Sequence, residues 1–146
     1  MQKLYEIIYN AIMADTALCE LVGGRVKSDC YEVSPDSHDN TPLPYIIVAD
    51  SGLAPAETTK DDGWLPSAFQ HRAGVEIAAV DSNQVSDLTL LVMRAVANYM
   101  QTEYPKVWLS PGFPTTEGTA WDWAKPCFFD TIHYQAEIKT PKQSEQ

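Results

Sequence analysis

The stretch HRAGVEIAAVDSNQVSDLTLLVMRAVANYM, His71–Met100, changes its hydrophobic period once, and that change decides the fold class. From His71 to Ala79 the pattern alternates, with His71, Ala73, Val75, Ile77 and Ala79 on one side and Arg72, Gly74, Glu76 and Ala78 on the other. Successive side chains of an extended chain point to opposite faces, so this segment reads as a half-buried strand. At Asp81 or Ser82 the spacing becomes helical. Leu88, Leu91, Val92, Ala95, Val96 and Tyr99 form one stripe, and Leu90, Met93, Ala97 and Met100 form a second beside it. An apolar arc that wide predicts a helix covered on two sides, by a sheet and by another helix or subunit.

Toward the N-terminus, QKLYEIIYNAIMA (2–14) places Leu4, Ile8, Ala11 and Ile12 on one helical face, with Ile7 beside it. Asp15 or Thr16 can cap a second short helix, TALCELV, which Gly23-Gly24 ends, because glycine adopts the left-handed stop at no steric cost. RVKSDCYEV reads as a strand, and the turn formers of SPDSHDNTPLP lead into a second, Tyr45-Ile46-Ile47-Val48. Pro44 has no N–H to give a ladder, which suits the start of a strand. Residues 51–69 read as one long loop. Beyond the long helix, KVWLS (106–110) is expected as a short strand and PGFPTTEGTAWDWAKP as a turn-rich segment. CFFDTIHYQAEIKT closes the order as a strand with Ile132, Tyr134, Ala136 and Ile138 on one face. The sum is an α+β domain, a mostly antiparallel sheet of four to five strands with two or three helices packed on one face. It is expected as a single domain over 1–140 followed by a flexible tail, 141–146.

Charge narrows the function. The chain has 146 residues and a net charge of −10. Between Ser28 and Asp62 eight acids (Asp29, Glu32, Asp36, Asp39, Asp50, Glu57, Asp61, Asp62) face Lys60 alone. Binding nucleic-acid phosphates needs clustered Lys and Arg, so direct sequence-specific DNA or RNA binding is not expected, and the local acidity suits a surface that repels DNA or meets a basic partner. The apolar runs are too short to span a bilayer, and Lys3, Glu6 and Asp15 interrupt the N-terminal pattern where a signal peptide would be uncharged, so a cytoplasmic, non-membrane protein is expected. Cys19, Cys30 and Cys127 have no CxxC spacing and read as small buried hydrophobes in a reducing compartment.

Motifs of chemistry are sparse. A nucleophile elbow needs glycines two before and two after its serine; Ser51 has Ala49 and Leu53 there. Asp50-Ser51-Gly52 therefore reads as a strand exit and turn. His38, His71 and His133 form no metal-ligand spacing, although His71 and His133 would approach each other if their strands paired. No glycine-rich phosphate cradle occurs. The reading assigns no catalytic, cofactor or metal residues, hence no enzyme, with two alternatives: a small hydrolase using Ser51 with His71 or His133, and a module stacking a ligand on Trp121 and Trp123. Tryptophans in turn-rich segments bury much area at little entropy cost, so Trp64, Trp121 and Trp123, with Asp61, Asp62 and Arg25, are the candidate assembly-interface residues.

LYEIIYNAIMADTALCELVGGRV, then PLPYIIVADSG, then the His71–Met100 stretch resemble the tail-completion, or tail-terminator-like, proteins of long-tailed bacteriophages and prophages. The matching positions are Leu18, Leu21, Gly23, Gly24, Arg25, Pro44, Tyr45, Ile46, Val48, Val75 and Ile77, within residues 3–100; the TAWDWAKP segment departs from the pattern. The resemblance implies a non-enzymatic protein that rings the end of the tail tube, stops its growth and makes the surface that joins the head. Its implied partners are copies of itself, the tube protein and a head-completion protein. Its implied location is the host cytoplasm during assembly and the virion tail afterwards. A ring of this kind is heterologous, so each subunit needs two different complementary patches, and the 51–69 segment is expected to supply one.

Overall fold

The structure is a computed structural model that describes residues 3–28, 42–55 and 68–139. Helix α1 (Leu4–Ala14) buries Leu4, Ile7, Ile8, Ala11 and Ile12, the face its periodicity marks. Asp15 caps α2 (Thr16–Leu21), its carboxylate accepting from the Leu18 N–H at 3.1 Å. The stop is double. Gly24 N donates to Cys19 O at 2.8 Å and Gly23 N to Glu20 O at 3.0 Å, with both glycines at positive φ, the paired bonds that satisfy the last carbonyls of a helix.

Strands β1 (Val26–Ser28), β2 (Tyr45–Pro55), β3 (Ala68–Ala79), β4 (Thr115–Thr116), β5 (Ala120–Asp122) and β6 (Cys127–Lys139) form one sheet. Its order is β1-β2-β3-β6-β4, with β5 also on β6; β1–β2 is parallel and every other pair antiparallel. Between β3 and β6 runs α3 (Ser82–Glu103), capped by Asp81 through Asn83 N at 3.0 Å. This is the expected α+β class, with six strands among the described residues where four to five were expected.

The differences have local causes. Asp50-Ser51-Gly52 does carry turn chemistry, since Asp50 Oδ1 accepts from Gly52 N at 2.9 Å and Gly52 has φ +101°. It forms a bulge in β2, however, and does not end the strand. The register shifts between Asp50 and Gly52, then pairing with β3 resumes from Gly52↔Arg72 to Pro55↔Phe69. An inserted residue can be absorbed by twist without breaking a ladder, so residues 51–55 and 68–69 are strand, and the loop expected over 51–69 is corrected there. Residues 56–67 lie outside the described residues, as does RVKSDCYEV beyond Ser28. KVWLS is not a strand: within it only Leu109 bridges, to Ala136. The turn-rich segment instead supplies β4 and β5, whose two and three residues are too short to show a period.

The register sorts the faces. Val48↔Val75↔Ile132 and Ile46↔Ile77 lie on the helix side, with Ala73↔Tyr134. Together with α1 and α3 they make the main core, in which Ile46, Ile77 and Ile132 are 0% exposed. Burying each such side chain stabilises by about 1.5–3 kcal/mol. A second, smaller cluster lies apart from it: Tyr45, Ile47, Ala78 and Cys127, with Leu43 and Phe129 against them. The first stripe of α3 faces the core, and of the second Met100 is buried in it and Met93 packs partly against it. Leu88, Val92, Ala95 and Val96 face the core, whereas Leu90 is 62% exposed and Ala97 is exposed. The sheet and α1 cover one side of α3, and the Leu90–Ala97 line stays open among the described residues.

Candidate functional site

Arg25 follows the glycine stop, and its side chain turns inward. Nε donates to Pro44 O at 2.8 Å and Nη2 to Leu43 O at 3.3 Å. The guanidinium lies over Gly23, where an added Cβ would fall 2.5 Å from Nη1. Gly23 is required by its φ of +61°, and a side chain there would also push the guanidinium aside. The Gly-Gly-Arg turn and the proline-led strand, separate in sequence, form one hydrogen-bonded unit that sets where β2 starts.

Asp61, Asp62 and Trp64 lie outside the described residues. Trp121 and Trp123 sit on β5 and the turn after it. Trp121 is opposite Phe128 in register, with ring centroids 4.8 Å apart at 68°. Trp123 packs edge-on against Trp121 at 5.9 Å and 77°, yet it is 87% exposed. Asp122 Oδ1 accepts from Ala124 N at 2.9 Å and fixes the turn that holds Trp123 out. An edge-to-face pair anchored on a third ring is a rigid platform.

Sequence reading missed a second aromatic surface. Ala97, Met100, Gln101, Tyr104, Pro105 and Leu109 surround a mainly apolar cavity of about 480 Å³, with Trp108 on its wall. Trp108 is 78% exposed, and its other side borders a second cavity with Lys106, Glu137 and Ile138. The available signal was the second stripe of α3, whose exposed Ala97 and buried Met100 line this groove; reading KVWLS as a strand hid it.

The structure separates the histidines. His71 pairs with Ala136 and His133 with Gly74, and they point to opposite faces of the sheet. His71 is 1% exposed on the helix side, and neither ring nitrogen has a hydrogen-bond partner among the described residues, nor has the buried Tyr134 hydroxyl. Burial lowers the His71 pKa; Asp50 opposes this and Lys3, which pairs with Asp50 at 3.2 Å, adds to it. Burial also pushes the Tyr134 phenol far up. Ser51 lies on the face away from His71, over Gly74. It shares a cavity of about 310 Å³ with His133, Arg72 and Thr115. His133 Nε2 is 2.9 Å from Glu117 Oε1, and no hydrogen bond joins Ser51 to His133. A serine becomes a nucleophile through a base within bonding reach, and the geometry does not supply that contact.

Cys127 is buried as expected, while Cys19 is partly exposed and donates to Ile12 O at 3.3 Å; burial raises both thiols. Cys30 lies outside the described residues. Among the described residues no group of three or more His, Cys, Asp or Glu could hold a metal ion, and no helix is long and apolar enough to cross a membrane.

No family model and no curated protein matches the chain. Among solved structures, a chain from the virion of a native gene transfer agent particle is similar at 16% identity, with a TM-score of 0.48 over 94% of this chain and 96% of that one.

Proposed function

We propose that this chain is a phage or prophage tail-completion protein, a non-enzymatic subunit that rings the end of the tail tube, halts its growth and presents the surface to which the head joins. One observation carries the reading. The two halves of the tail-completion resemblance, Gly23-Gly24-Arg25 and Pro44-Tyr45, meet through the Arg25 bonds to Leu43 and Pro44. Residues that carry a family likeness and also build a single structural joint are what a shared fold requires. Two exposed aromatic surfaces, at Trp123 and Trp108, add the kind of area that subunit contacts use. The acidic excess favours a bore that passes DNA without holding it.

The partners under this reading are copies of the chain, the tube subunit and a head-completion protein. The place of work is the host cytoplasm during assembly and then the virion. Inactivating the gene in an inducible phage tests it. Heads should fill normally while tails, of irregular length, remain unjoined, and the gene supplied in trans should restore particles. Full-length joined particles without the protein would overturn the reading.

A further inference from the structure

We propose that the groove beside Trp108 receives the Trp123 turn of a second copy of this chain, in a head-to-tail contact. The inference rests on the assembly reading and names the contact that would close the ring. Trp123 is a projecting knob, 87% exposed on a turn fixed by Asp122. The groove is its counterpart in shape, an apolar cavity of about 480 Å³ closed on one side by α3. Charge matches as well. Asp122 stands beside the knob and Lys106 beside Trp108, an anion and a cation that the contact would bring together.

Position excludes self-engagement. The knob is tied to the Cys127 end of β6 through Asp122↔Cys127, while Trp108, on the groove wall, borders Glu137 and Ile138 near the other end through the neighbouring cavity. Ten residues of strand separate these ends, roughly 34 Å at about 3.4 Å per residue. A knob and a hole that far apart cannot both engage within one chain. Two unlike patches on one subunit can pair reciprocally as a closed dimer or join head to tail into a ring or filament; the contact proposed is the second, which alone gives species beyond dimer.

The test crosslinks purified full-length chain at rising concentration with a zero-length amine-to-carboxyl reagent, followed by mass spectrometry. Wild-type chain should give a ladder beyond dimer and a Lys106–Asp122 link, which the 34 Å span makes intermolecular. Trp123→Ala and Trp108→Ala remove exposed side chains, so both variants should keep the wild-type circular dichroism and unfolding midpoint. Each alone should lose the ladder. Mixed in equal amounts they should give dimer and nothing larger, because the intact groove of one accepts the intact knob of the other. Absence of the wild-type ladder or link, a ladder from Trp123→Ala alone, or a mixture without dimer would each overturn the contact. Tail-tube capping, scored separately, keeps the two claims apart. A chain that caps tubes without this link retains the tail reading and loses this interface, and a chain that makes the link but never caps tubes does the reverse.

Discussion

Arg25 shows how much a single side chain organises here. It holds two backbone carbonyls, those of Leu43 and Pro44, at the point where the chain enters β2. Arg25→Ala should therefore lower stability by about 2 kcal/mol, the scale of hydrogen bonds made by a charged group plus the cost of leaving part-buried carbonyls unpaired; urea unfolding measures this. His71 gives a prediction with a sign. The unfolded imidazole titrates near ~6.5, and burial holds the folded one lower. Above that pH both states are neutral and His71 contributes no slope. As pH falls through about 6.5 the unfolded chain takes the proton first, so stability declines down toward the folded value. His71→Leu should flatten the pH dependence of the urea midpoint just below about pH 6.5, and an unchanged slope would show that His71 is not its source.

At the scale of elements, α3 separates packing from surface. Ile132→Ala, beneath α3 and fully buried, should cost about 2–5 kcal/mol through lost transfer energy and the cavity left behind. Leu90→Gln, on the open line of the same helix, should stay within about 0.5 kcal/mol of wild type in thermal or urea unfolding. Sequence pattern made α1, α2, α3 and the centres of β2, β3 and β6 legible because burial on one face imposes a period. It failed where period and local chemistry disagree. Asp50-Ser51-Gly52 has the composition of a strand exit, but the β3 partner continues past it and turns the same residues into a bulge. β4 and β5 are too short for any period to register, and their pairing to β6 is a long-range choice. The candidate surfaces followed the same rule. Trp121 and Trp123 were legible as aromatics in a turn, whereas the groove at Trp108 exists only once the end of α3 meets β6.

As a whole molecule the chain combines a main core on the helix side of the sheet, a net charge of −10 and two unlike exposed aromatic patches near opposite ends of β6. Under the proposed function, the patches would serve contacts between copies and the negative charge would keep DNA unbound. The most direct measurement of the proposed function adds the purified full-length chain to growing tail tubes of the phage or prophage proposed to carry it and records tube length and tube ends by electron microscopy. The account predicts that growth stops, that lengths narrow to one value, and that a ring sits on one end of each tube. Tubes that keep growing with bare ends at saturating protein would contradict it.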